Sequence, residues 1–93
     1  MLYLIAYDIP LDKRRTKLAK LLEGHGQRVQ ASVFECDLEE RQLKGLQSKL
    51  GRLLRPNEGD NLRIYRLCSE CRKVVTIVGN GPPVEVGKEV YII

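Results

Sequence analysis

The chain predicts an α+β sandwich in which the elements follow the order β-α-β-β-α-β, with further strand sequence after the last of them. Three observations lead there. The N-terminal segment is apolar on both faces of a strand, two later segments carry helical periodicity, and a strand-like pair lies between those helices. At 93 residues the chain makes one domain, and a domain this small buries only about 60–65% of the surface its unfolded chain exposes. A second copy is the expected supplement.

Residues 2 to 9 read as a central strand, because Leu2, Leu4 and Ala6 on one face and Tyr3, Ile5, Tyr7 and Ile9 on the other all need cover. Residues 12 to 24 switch to a helical period. Leu11, Leu18, Leu22 and His25 fall in one stripe together with Arg15, Asp12 is the expected N-cap, and Gly24 and Gly26 are the expected stop. Residues 27 to 37 have strand character interrupted at Gln30-Ala31-Ser32, which fits either one bulged strand or a tight hairpin, and the hairpin is the preferred reading. A second helix is expected from about Leu38 to Leu54, with Leu43, Leu46, Leu50, Leu53 and Leu54 on one face and Asp37 and Glu40 as a capping box. Gly45 and Gly51 weaken it by about 1 kcal/mol each relative to alanine.

Pro56-Asn57-Glu58-Gly59 is a turn signal. Leu62 to Leu67, Lys73 to Val78 and Val84 to Ile93 then read as strands, with Gly79-Asn80-Gly81-Pro82-Pro83 turning between the last two. This order is the split βαβ, or ferredoxin-like, sandwich, in which two helices cover one face of an antiparallel sheet and the other face stays open. Residues 1–82 form the expected core. Residues 83–93 form a final strand expected to pair with a partner subunit, in a homodimer whose open sheets face each other.

Composition narrows the function classes. No apolar run approaches the roughly 20 residues needed to span a bilayer, and the N-terminus lacks the basic region and cleavage site of a secretory signal, so a cytoplasmic protein without membrane partners is expected. Net charge is +4, and its distribution says more than its size. Residues 12 to 28 hold Lys13, Arg14, Arg15, Lys17, Lys20 and Arg28 against Asp12 and Glu23, while the remaining segments are balanced. Charge concentrated this way, and doubled in a dimer, is the footprint of a nucleic-acid binder. A plain solvated helix face is the alternative.

The residue that points to chemistry is Asp8, at the end of the first strand and just before Pro10 and the basic segment. A carboxylate in that place suggests phosphate chemistry through a metal. Equally, it would cap the turn or pair with Arg15 if its face is the helix-covered one; parity groups Asp8 with Leu2, Leu4 and Ala6 without saying which face that is.

Four features in this order carry a resemblance. They are Tyr7-Asp8-Ile9 after an N-terminal strand, Arg14-Arg15 shortly after Pro10, Gln30-x-Ser32-Val33-Phe34-Glu35, and Leu62-Arg63-Ile64-Tyr65. Together they resemble the small CRISPR-associated adaptation protein family, which partners the spacer integrase, over Met1 to about Leu67. The resemblance implies a ferredoxin-like homodimer with Asp8 of each chain near the two-fold axis as the metal-binding and catalytic residue. One carboxylate per chain is a poor site for Mg²⁺ or Mn²⁺, but two related by symmetry, with backbone carbonyls and water, suit an octahedral ion that would polarise a phosphoryl oxygen. It further implies functional roles for Arg15, Phe34 and Arg28.

With Arg14 and Lys17, those two arginines are the expected nucleic-acid contacts, since guanidinium forks hold phosphate oxygens well. Phe34 would either stack on a base or, as preferred here, fill the core. The implied partners are the integrase subunit, double-stranded DNA and, as a second candidate, single-stranded RNA. The implied activity is metal-dependent endonucleolytic cleavage within CRISPR spacer acquisition. A non-catalytic architectural DNA scaffold and a toxin-like endoribonuclease are the alternatives, and a module binding a small regulatory ligand would leave the arginine cluster unexplained.

Cys68-x-x-Cys71 lies outside the common pattern. Its spacing suits a zinc knuckle, but a structural site needs four ligands and only Cys36 and His25 remain to complete one within the chain, unless a dimer supplies two pairs. An oxidisable pair or a reduced loop fits better.

Overall fold

The computed structural model describes residues 1–84. The elements are β1 (Leu2–Asp8), α1 (Asp12–Glu23), β2 (Gln27–Gln30), β3 (Val33–Asp37), α2 (Glu40–Leu53), a 3₁₀ turn (Pro56–Glu58), β4 (Asn61–Leu67) and a short α3 (Ser69–Lys73). The sheet runs β2-β3-β1-β4 with every neighbour antiparallel, the ferredoxin-like order predicted. β1 is central because both of its faces are apolar. Tyr3, Ile5 and Tyr7 pack with Phe34 and Cys36 of β3 against Leu18, Ala19 and Leu22 of α1 and Leu46 and Leu50 of α2. Tyr3 stands opposite Cys36, and Ile5 opposite Phe34, so the helix-covered face is the odd-numbered face of β1.

The interrupted strand at residues 27 to 37 resolves as the expected hairpin, and it also carries a bulge, because the register between β2 and β3 shifts between Arg28 and Gln30. Other expectations need correction. Asp12 is the first residue of α1 and not its cap; Leu11 occupies the cap position with extended backbone, half exposed, and Asp12 pairs instead with Arg15. The capping box of α2 is made by Glu39 and Gln42, not Asp37 and Glu40. Asp37 closes β3, and its carboxylate takes the N-terminal ammonium at 3.1 Å and Arg72 at 3.2 Å.

Gly24 keeps ordinary helical backbone, and the glycine that matters is Gly26, where an added Cβ would press on the Glu35 carbonyl and stand 2.8 Å from the Cys36 Cα. The expected strand Lys73–Val78 does not form. Cys68 caps α3, which takes Lys73, and residues 74 to 78 then run outside the sheet with Val74 and Val78 largely exposed. Of the expected strand Val84–Ile93 only the first residue is described. Residues 75 to 84, excepting Gly79 and Pro83, line a cavity of about 370 Å³ with Leu4, Val29, Val33 and Glu35, so the helix-free face is partly covered by the chain itself. Among the described residues no helix is long and apolar enough to cross a membrane.

Candidate nucleic-acid interface

Asp8 ends β1 directly opposite Asn61 of β4, and residues opposite one another in an antiparallel pair share a face. Since Tyr3, Ile5 and Tyr7 face the helices, Asp8 projects with Leu4 and Ala6 from the helix-free face. It is exposed, and among the described residues its carboxylate has no hydrogen-bond or ion-pair partner. Arg15 does not reach it. The Arg15 guanidinium donates to the Ile9 carbonyl oxygen at 2.8 Å and pairs with Asp12, which fastens α1 to the chain leaving β1.

β4 brings further polar groups to the Asp8 face. Register places Arg63 opposite Ala6 and Tyr65 opposite Leu4, and Arg63 donates to the Tyr65 hydroxyl at 3.2 Å. Arg63 stands outside the cations expected to contact nucleic acid, although its segment carries part of the family resemblance. The signal was present in the alternation Asn61, Arg63, Tyr65, Leu67, but it points to Asp8 only once β1 and β4 are known to be neighbours.

The other predicted cations lie on the helix side. Arg15, Lys20 and Arg28 line one shallow groove with Tyr7, Thr16 and Glu23. Arg28 is exposed on β2, with its guanidinium carbon 5.3 Å from the centroid of the Phe34 ring. Phe34 itself is fully buried and stacks near Tyr7 at 6.4 Å between centroids, so it serves the core as the composition argument preferred. Lys17 is exposed on α1.

Arg14 is committed elsewhere. Its Nε and Nη2 donate to the two Asp60 oxygens at 2.5 and 3.0 Å, and Nη1 reaches Glu58 at 3.2 Å. Asp60, also unforeseen, is buried at the start of β4 and accepts the Arg55 backbone N–H at 2.8 Å. The hydrogen bonds from Arg14 hold its carboxyl below the usual carboxylate range. A buried charge is tolerated when it is paired this fully. With its fork filled, Arg14 joins α1 to the turn before β4.

The fit of a divalent ion can be tested against these donors. Asp8 and Asn61 offer hard oxygen atoms, the type Mg²⁺ and Mn²⁺ prefer. Among the described residues no group of three or more His, Cys, Asp and Glu side chains is placed to hold a metal, so the described part of one chain does not by itself make such a group around Asp8. The same observation argues against zinc on Cys68 and Cys71 within one chain. Cys36 is buried, its thiol pushed up to about 11 by burial, and His25 makes a 3.0 Å contact from Nδ1 to the Leu21 carbonyl at the end of α1.

The family profile described as "CRISPR associated protein Cas2" matches residues 1–75. The chain belongs to the Cas2 family. It is 59% identical over 93 residues to the "CRISPR-associated endoribonuclease Cas2 1" of Chloroflexus aurantiacus, covering all of both chains. Among solved structures it is similar to Streptococcus pyogenes Cas2, with a TM-score of 0.75 and 31% identity over 85% of this chain and 100% of that one. It is also similar to a chain of a partial Cas6-RT-Cas1–Cas2 complex, with a TM-score of 0.74 and 36% identity over 89% of this chain and 94% of that one. The Cas2 profile ends just beyond α3, so the Cys68–Cys71 pair falls within the matched region although the residues that carried the resemblance stop earlier.

Proposed function

We propose that this protein acts in CRISPR spacer acquisition as a homodimer that holds nucleic acid beside an integrase subunit and cleaves phosphodiester bonds with a divalent metal at Asp8. The observation that carries the reading is the unpartnered, exposed carboxylate of Asp8 on the helix-free face, with Asn61 opposite it and Arg63 two pairs along on the same face. A carboxylate without a protein cation has both oxygens open to a metal. Two such faces brought together supply two carboxylates, and Mg²⁺ or Mn²⁺ held between them would polarise a phosphoryl oxygen. Arg63, close by on the same face, would orient a phosphate through its guanidinium fork.

The relatives support the nuclease and integrase parts of this reading. The Chloroflexus aurantiacus protein is named an endoribonuclease, and a structural neighbour sits in an assembly with Cas1. A second, architectural role has its own observation. Arg15, Lys20 and Arg28 lie on the helix side, away from Asp8, where they would grip a DNA backbone without taking part in cleavage. Lys17 on α1 would extend that grip.

The test compares purified wild type with Asp8→Asn on RNA and DNA, with Mg²⁺, with Mn²⁺ and with EDTA. The amide keeps the shape but not the anionic ligand, so divalent-dependent cleavage should be lost while dimerisation and DNA binding remain. Cleavage that continues at full rate in EDTA or in Asp8→Asn would overturn the catalytic assignment. Cleavage lost with spacer acquisition intact would leave the architectural role as the principal one.

A further inference from the structure

The Cys68–Cys71 pair is a cluster of nucleophiles that the proposed function leaves unused. Cys68 follows β4 at once and caps α3, so its side chain folds back over the first turn and accepts the Cys71 backbone N–H at 3.3 Å. This brings the two sulfurs to 2.9 Å, compared with about 2.04 Å in a formed bond. Both residues are exposed, whereas Cys36 is fully buried in the core. Among the described residues no third Cys, His, Asp or Glu joins the pair to make a metal cluster.

We propose that Cys68 and Cys71 form a dithiol–disulfide exchange site whose co-reactant is a low-molecular-weight disulfide of the glutathione class. The two sulfurs have unequal roles. The hydrogen bond shared with Cys71, joined by backbone N–H groups, pulls the Cys68 thiol below its ordinary value, and the same bond pushes Cys71 above its own. Because the Cys68 sulfur also accepts the Cys71 backbone N–H, a donor that stays in place when the Cys71 side chain is changed, Cys68 is assigned as the attacking thiolate and Cys71 as the resolving thiol.

In the first step the Cys68 sulfur bonds to one sulfur of the small disulfide, whose S–S bond breaks and releases one thiolate. In the second, the Cys71 sulfur displaces the other half from Cys68, forming the internal disulfide. The protein dithiol loses two electrons, the small disulfide gains them, and the two protein protons end on the two released thiols. The new bond would fix the turn that carries Arg72, whose guanidinium lies 3.2 Å from Asp37 beside the N-terminal ammonium, and from which residues 75 to 84 depart to the helix-free face.

The experiment uses the full chain equilibrated with graded ratios of reduced and oxidised glutathione, quenched by alkylation and read by peptide mass spectrometry. The expected result is loss of two reactive thiols confined to Cys68 and Cys71, reversed by dithiothreitol, with Cys36 unreactive until the protein unfolds. Cys71→Ser should trap glutathione on Cys68 at least about tenfold faster than Cys68→Ser traps it on Cys71. Circular dichroism of both variants confirms that each is folded, which exposed Cys→Ser changes should permit. Trapping at equal rates, glutathione retained on both residues without an internal bond, a disulfide between two chains, or thiols shielded by a metal that only a chelator removes would each overturn the proposal.

Discussion

Asp60 is only 6% exposed and still charged, because Arg14 supplies a two-pronged guanidinium and Arg55 a backbone N–H. Its carboxyl is held below the ordinary value of 3.8 first by the hydrogen bonds from Arg14, so its contribution to stability is fully present above that value and is lost as pH falls through the folded-state pKa. Asp37 adds to the same acid sensitivity. Burial raises its pKa, but the N-terminal ammonium and Arg72 more than offset this and leave it lowered. Asp60→Asn should therefore lower the thermal midpoint near neutral pH and flatten its decline below about pH 4, as followed by circular dichroism melts. An unchanged acid limb would mean that other carboxylates govern it. Gly26 makes a sharper residue-scale prediction. Because a Cβ there meets backbone of β3, Gly26→Ala should destabilise by about 1–3 kcal/mol or more in urea unfolding.

Helix α2 holds two glycines on its exposed side, and a Cβ at Gly45 or Gly51 meets nothing within 4 Å. Each pays backbone entropy without a packing return, so Gly45→Ala and Gly51→Ala should each stabilise by roughly 0.5–1 kcal/mol, additively, in denaturant titrations. A loss of stability in either would show that the glycine meets something in an assembly. Helix α1 divides its cations by partner. Arg14 is bound into the fold, whereas Lys13, Lys17 and Lys20 are exposed and Arg15 is partly so. If α1 and β2 grip DNA, the triple replacement of Arg15, Lys17 and Arg28 by alanine should make the log-log salt dependence of duplex binding shallower by about 2–3 units, at about 0.9 per phosphate contact. Unchanged slope and affinity in a fluorescence anisotropy titration would move the interface elsewhere.

At the scale of the molecule, a helix-free face that mixes Leu4 and Ala6 with Asp8, Asn61 and Arg63, and the metal site proposed at Asp8, both lead to the expectation of a second copy. The chain should sediment near twice 10.6 kDa at micromolar concentration, and removing Pro83–Ile93 should weaken that dimer. A monodisperse monomer would overturn the proposed two-fold metal site as well. Residues 75 to 84 already give partial cover to Leu4, Val33 and Glu35, whereas Asp8, Asn61 and Arg63 at the other end of the face are exposed.

The two long helices, the hairpin and the sandwich class were legible in the sequence because each rests on a local period: two-sided apolarity in β1, a stripe through Leu18 and Leu22, another through Leu46 and Leu50. Phe34 as core and Asp8 as a strand-end carboxylate were legible for the same reason. The face of Asp8 was not, since strand parity defines two faces and only the docking of α1 and α2 on Tyr3, Ile5 and Tyr7 decides which one is open. Nor was the fate of Arg14, one cation among six in its segment, until the fold brought Asp60 to it across 46 positions. Lys73–Val78 had strand composition, yet Cys68 capped a helical turn and the residues after it joined no strand, running instead over the helix-free face. Local periodicity determined the elements; which side chains meet was decided by long-range docking, because pairing energies depend on neighbours that no window of sequence contains.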